Sequence, residues 1–378
     1  MTPPLQGVRV LDLSTLLPGP LATLFLAQSG ADVVKIERPV QGDEMRSYHP
    51  RLGEASANYA VLNRGKRAYA ADLKDPSQRD RVLEIAAEAD VVVEQFRPGV
   101  ADRLGLGYDV VARLNPRVVY CSVNGYGSTG PSAGRAGHDL NYLAESGLLG
   151  VVVDRDGAPS LPVSVLADIA GGTYPAVVNI LLALRQAEAT GRGCRVEVAM
   201  ARNLQVLAYG YFATHQVDGT WPEPGAELLT GGSPRYQVYP TADGRHVACA
   251  ALEDRFWRRL TELVGLDERW RADAGQEDAV IAALGEVFAS RTAAHWRRVL
   301  TGEDVCTSVV ATWDEAVDSG LVEVDGPDRV RDPGPSGRAV ATLPSPVSPQ
   351  LRRAPGTSSY PALHALPDGS PWAASTPR

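Results

Sequence analysis

A chain of 378 residues, 44% apolar and 22% charged, has the composition of a globular protein long enough for two domains. Its formal net charge is −8 and its basic residues are scattered, which argues against a nucleic-acid surface, where a dense basic patch must neutralise phosphates. A few local arginines can still hold one small anionic ligand.

From the N-terminus, residues 8–13 read as a strand, 20–28 as a helix and 31–36 as a second strand. The apolar stretch 16–27 is broken by Pro18, Gly19 and Pro20 and falls short of the roughly 20 residues that span a bilayer. Met1-Thr2-Pro3-Pro4 shows neither a basic n-region nor an apolar h-region, so the expectation is a soluble, cytoplasmic protein without a membrane partner. Residues 77–88 form a helix by their charge pattern; 90–93 and 117–123 are apolar strands. Nearly continuous apolar strands between helices predict a Rossmann-like α/β domain with a parallel sheet covered on both faces. No GxGxxG follows the first strand, so no nicotinamide cofactor is expected.

Residues 168–188 read as a long helix rich in alanine and leucine, closed by Gly191 and Gly193. The Gly171-Gly172 pair near its start points to a close approach of backbone. A strand at 194–199 and a helix at 201–215 follow, and Trp221-Pro222-Glu223-Pro224-Gly225 punctuates the chain as a linker. Beyond it, 236–239 and 246–250 form a hairpin around Ala242-Asp243-Gly244, and helices are expected at 254–264, 277–290 and 293–300. From Asp332 onward Pro, Ser and Gly dominate, and that stretch reads as extended or partly disordered. The expected domains are therefore a large α/β domain at 1–220, completed by part of 325–378, a small α+β domain at 225–325, and a Pro/Ser-rich tail at 333–378. Cys121, Cys194, Cys249 and Cys306 lie far apart with no CxxC spacing, so free thiols and no metal site are expected.

Chemistry concentrates in a few places. His138 follows a loop rich in glycine (Gly125, Gly127, Gly130, Gly134) and starts a helical run with Asp139, Asn141 and Tyr142. Read alone, such a histidine beside a capping aspartate is structural more often than catalytic. Asp168 opens the long helix and has an equally plain reading as its N-cap. Glu253 opens a helix of the small domain, where a carboxylate suits the helix dipole. Arg38 follows the second strand at the end where α/β sheets bind ligands. Arg64, Lys66 and Arg67 cluster in one short loop, and Arg97 and Arg103 flank the turn after another strand. Such charges are usually just solvated, but several converging on one sheet edge can hold phosphates.

Several segments together carry a resemblance. Pro18-Gly19-Pro20-Leu21-Ala22-Thr23, Gly30-Ala31-Asp32-Val33-Val34-Lys35-Ile36-Glu37, Leu62-Asn63-Arg64-Gly65-Lys66-Arg67 and Phe96-Arg97-Pro98-Gly99 resemble the landmarks of the family III CoA-transferases (CaiB/BaiF). Gly137-His138-Asp139-Leu140-Asn141-Tyr142, Ala167-Asp168-Ile169-Ala170-Gly171-Gly172 and Ala251-Leu252-Glu253 resemble the α-methylacyl-CoA racemase branch. The resemblance implies an interlocked homodimer acting on an acyl-CoA thioester, with coenzyme A as part of the substrate and no separate cofactor. It implies that His138, assisted by Glu253, forms one acid/base unit and Asp168 the other. It further implies that Arg38, Leu62 with the basic loop Arg64, Lys66 and Arg67, and Arg97 and Arg103 contact CoA, with Asp139 and Tyr142 near the thioester. The reaction implied is inversion of the α-carbon of a 2-methylacyl-CoA by proton transfer through an enolate, an isomerase of lipid metabolism. Two alternatives stand beside it. One is a CoA-transferase in which Asp168 is the acyl-anhydride nucleophile; the other is a non-catalytic acyl-CoA binding protein.

Overall fold

The computed structural model describes residues 2–154 and 156–372. The chain forms two compact units: one from Met1–Ser146, Val163–Leu207 and Glu323–Arg378, the other from Gly147–Pro162 and Ala208–Val322.

The first unit is built on a seven-stranded sheet whose neighbours all pair in parallel. Across the sheet the strands run Leu363–Ala365, Arg67–Ala70, Asp32–Glu37, Arg9–Leu13, Val91–Glu94, Val119–Asn124 and Arg195–Ala199. The chain therefore starts in the middle, winds outward to one side, and returns to wind outward to the other. The order reverses between Arg9–Leu13 and Val91–Glu94, and a sheet of this kind opens a crevice beyond the carboxyl ends of its strands at that switch. Val91–Glu94 and Val119–Asn124 are buried throughout, as strands covered on both faces must be.

The helix Pro18–Gln28 lies between the first two strands, with Pro18 placed where a missing N–H is harmless. The segment 168–188, expected as one helix, is a π-helical turn at Ala167–Thr173 that runs into the α-helix Tyr174–Thr190. By length and composition alone Ala167–Thr190 could cross a membrane, which no stretch was expected to do. In the fold it lies against Val119–Asn124, Arg195–Ala199 and Pro18–Gln28, with Ala176, Ile180, Ala183 and Ala187 buried at helical spacing. Its opposite face leaves Val178 54% and Leu182 66% exposed.

The segment expected as an extended tail is instead structured through residue 372. Arg329–Arg331, Ala339–Ala341 and Thr357–Ser359 form a three-stranded sheet, and Leu363–Ala365 becomes the edge strand of the main sheet beside Arg67–Ala70. Val330 and Tyr360 join a core with Met45, Leu52, Tyr59 and Leu62. Strands of three residues among prolines leave no periodic signal, so pairing rather than pattern fixes them.

The second unit carries an antiparallel sheet of Thr307–Val309, His246–Ala250 and Tyr236–Pro240. Helices Asp254–Val264, Glu277–Ala289 and Ala293–Leu300 cover it, with Tyr239, Phe256, Trp257, Phe288 and Trp296 in the core. This unit takes up the chain at Ala208, earlier than the linker near Trp221, and also includes Gly147–Pro162.

Candidate active site

A cavity of about 360 Å³ opens at the carboxyl edge of the main sheet. Leu16, Gln95, Asn124 and Met200, each at or just past the end of a strand, contribute to its wall, which puts it at the switch in strand order. His138, Tyr142 and Asp168 line it together, with Arg97 at its rim.

His138 stands at the N-cap of the helix Asp139–Glu145. Its backbone N–H donates to Asn141 Oδ1 at 3.0 Å, so a side chain one turn on satisfies the helix start. Asp139 is buried and its Oδ1 accepts the backbone N–H of Asp168 at 2.9 Å. That bond ties the histidine's helix to the aspartate's turn. It also corrects the reading of Asp168 as an N-cap. Asp168 is the second residue of the π-helical turn, Leu166 occupies the cap, and Asp139 supplies the acceptor from elsewhere in the chain. Single π turns gather at functional sites because the extra residue re-aims a side chain.

The Gly171-Gly172 pair makes this turn possible. A Cβ on Gly171 would stand 2.5 Å from the carbonyl oxygen of Met200, and one on Gly172 3.1 Å from Pro18 Cβ. Thr173 Oγ1 donates to the Pro18 carbonyl at 3.0 Å, and Asn203 Nδ2 donates to the Gly171 carbonyl at 2.7 Å. The backbone approach expected from the glycines is thus to the end of the strand Arg195–Ala199 and the helix Met200–Asn203. On the other wall, Gly137 and Gly125 pack directly on the ring of Tyr142, whose hydroxyl donates to the Gly137 carbonyl.

Burial pushes the Asp168 carboxyl up to about 6; the charge of Asp139 adds to the rise and His138 opposes it. Burial likewise raises Tyr142 to about 12, helped by the charge of Asp168, so this hydroxyl stays protonated. A carboxyl near neutrality beside an imidazole, in one cavity, can give or take a proton at physiological pH.

The remaining expected residues fall into distinct places. Arg38, exposed and paired with Glu44, and Arg103, exposed at the end of the short helix Val100–Arg103, both follow carboxyl ends of strands. Leu62 is a core residue. Arg64, Lys66 and Arg67 do not form an exposed basic loop on that edge, because they come before or at the start of the strand Arg67–Ala70. Lys66 is fully buried: its ammonium lies 3.2 Å from Asp12 Oδ2 and donates to Pro20 O, Thr23 Oγ1 and Asn63 Oδ1. Arg67 pairs with Asp32, and Arg64 lines a different cavity. The basic residue past the carboxyl end of this strand is Lys74, exposed and absent from the sequence reading. The signal for it was the strand itself, whose Arg-Ala-Tyr-Ala composition is too poor in β-branched residues to be read. Glu253 lies in the second unit, exposed at the N-cap of Asp254–Val264. Among the described residues no group of His, Cys, Asp and Glu could hold a metal ion.

Comparison with known proteins bears on this site. The chain is 34% identical over 319 residues to an alpha-methylacyl-CoA racemase of Homo sapiens, covering 83% of this chain and 79% of that protein. It is 32% identical over 357 residues to a succinyl-CoA:glutarate CoA-transferase of Mus musculus, covering 89% and 80%. An acetyl-CoA:oxalate CoA-transferase of Acetobacter aceti is 33% identical over 306 residues, covering 79% and 78%. Among solved structures, a CAIB/BAIF family protein from Brucella suis superposes with a TM-score of 0.77 at 27% identity, over 95% of each chain. Rv3272 from Mycobacterium tuberculosis gives 0.79 at 28% identity, over 95% of this chain and 97% of that one. The family described as CoA-transferase family III matches residues 5–363, and the chain belongs to it.

Proposed function

We propose that the protein is an acyl-CoA racemase or epimerase that inverts the α-carbon of a 2-methylacyl-CoA thioester. The observation that carries this reading is one cavity lined by both an imidazole and a carboxyl group, His138 and Asp168, with the carboxyl raised to about 6. A proton next to a thioester carbonyl is only weakly acidic, so its removal needs a positioned base, and each such group contributes on the order of 10²–10⁴-fold. Removal by one group flattens the α-carbon into an enolate. Return of a proton from the other group, on the opposite face, inverts the centre. Arg38, Lys74 and Arg97, in the stretches just past carboxyl ends of strands, and Arg103, at the end of the short helix that follows one of them, hold the CoA phosphates in this reading. The likeness to a racemase at 34% identity supports the reaction. The active form is a homodimer, a proposal supported by the exposed apolar face of Tyr174–Thr190 with Val178 and Leu182.

CoA transfer is the second reading, favoured by relatives that are CoA-transferases and by the half-buried placement of Asp168, which suits a nucleophile. Incubation of (2R)- or (2S)-2-methylacyl-CoA in deuterated water separates the two. Inversion with deuterium gained at the α-carbon is expected. Exchange of CoA onto a free carboxylate without deuterium gain would replace the racemase with the transferase.

A further inference from the structure

A second cavity, of about 200 Å³, is walled by Leu24, Ala27 and Gln28 at the end of the helix Pro18–Gln28, the helix whose first residue lines the His138 cavity. At 11 residues that helix is about 16 Å long, so the two cavities lie at its opposite ends. The guanidinium-bearing side chains of Arg64, Arg352 and Arg353 line this second cavity against the single carboxylate of Asp328, a surplus of two positive charges.

The carboxylate is already used. Asp328 Oδ2 accepts from Arg352 Nη1 at 2.8 Å and Oδ1 accepts from the backbone N–H of Gly356 at 3.1 Å. Arg353 Nη2 donates to the Gly30 carbonyl at 2.9 Å. Arg64 is only 7% exposed and donates to the Val61 carbonyl; among the described residues no carboxylate lies within ion-pairing distance of it. Arg352 Nε is buried with no hydrogen-bond partner. Burial lowers the pKa of Arg64; Asp328 opposes this and the neighbouring charge of Arg352 adds to it. Buried guanidinium groups with unmet N–H donors are unfavourable unless an anion meets them.

We propose that this cavity binds a dianionic phosphate group, as inorganic phosphate or a phosphate monoester, between Arg64 and Arg352. The charge surplus matches a dianion, and guanidinium forks match phosphate oxygens in pairs. The hydroxyl-bearing residues Thr357 and Ser358 line the same wall and offer neutral donors. The volume holds about six water-sized groups, enough for a phosphate with a small substituent. Because Arg352 and Arg353 belong to the C-terminal segment and Arg64 to the core of the first unit, a bound phosphate ties the two together and stabilises the fold.

The test is thermal melting of the full chain in potassium phosphate against potassium chloride at matched ionic strength, with CoA saturating throughout. A saturable rise in melting temperature is expected for the wild type, and its loss in Arg64→Gln, with CoA affinity unchanged. Ser358→Phe, an exposed position that fills the cavity from its rim, gives the same loss and serves where Arg64→Gln does not fold. The general salting effect of phosphate is unsaturable and equal in all variants, so it cancels. Glycerol phosphate in place of phosphate distinguishes the two sources, a tenfold lower midpoint identifying the monoester. No saturable rise in the wild type, a rise that persists in both variants, or competition between phosphate and CoA would overturn the proposal.

Discussion

Asp168 has an acidity set first by burial and then by its charged neighbours, and this makes its role testable by pH. With the carboxyl at about 6, its base form accumulates above that value. Deuterium exchange that begins with Asp168 taking the α-proton therefore rises as pH increases through about 6 and falls away below it. Asp139→Asn removes the second cause of the rise while its amide oxygen can still accept the Asp168 N–H, so the acidic limb of kcat/KM should move to lower pH. A limb that stays in place would remove Asp139 from the account. Asp168→Asn and His138→Ala should each lower inversion by at least about 10²-fold with CoA binding retained, measured by circular dichroism of the product and by titration calorimetry. Both residues were singled out in the sequence through their surrounding motifs, since the bare pattern favoured a structural role for His138 and left Asp168 evenly balanced. The contact between Asp139 and Asp168 was not legible, because nothing local announces a bond between residues so far apart in the chain.

At the scale of elements, the π-helical turn Ala167–Thr173 is the part most sensitive to a small change. Gly171→Ala places a Cβ 2.5 Å from the Met200 carbonyl oxygen, a contact only a backbone shift can relieve. The expected outcome is a loss of about 1–3 kcal/mol of stability in urea melts and a larger loss of activity, because the shift moves Asp168. Activity falling no more than stability predicts would show that the turn does not position the carboxyl. On the same run, Leu182→Asp puts a charge on the exposed apolar face and should halve the mass seen by light scattering if two copies meet there. The apolar strands and amphipathic helices of both units were readable from their patterns. Arg67–Ala70 and the short strands after residue 323 were not, because three or four residues carry too little periodicity to outweigh prolines and alanines.

Across the whole molecule, charge has been taken into the core. Asp12 is fully buried between Lys35 and Lys66; burial opposes its ionised form, and the two ammonium groups outweigh that and hold the carboxyl well below its usual range. Glu37 is also held low, burial being outweighed by Arg46 and Lys35. Depressed carboxyl groups stabilise the fold above the unfolded value near 4 and lose that contribution as pH falls toward the folded one, so unfolding should set in below about pH 4. Asp12→Asn takes from the buried Lys66 ammonium its carboxylate partner, while Lys35 keeps Asp43, and should lower stability by about 3–5 kcal/mol in denaturant melts. A variant as stable as the wild type would mean water reaches the network. The sequence by itself determined the class of fold, the order of its main elements and the family, because these rest on patterns repeated along many residues. Tertiary structure alone decided which basic residues stand past the carboxyl ends of strands and which vanish into the core. A lysine's reach and a strand's direction depend on partners distant in the chain, so Lys66 closes on Asp12 while Arg64 turns to a second cavity.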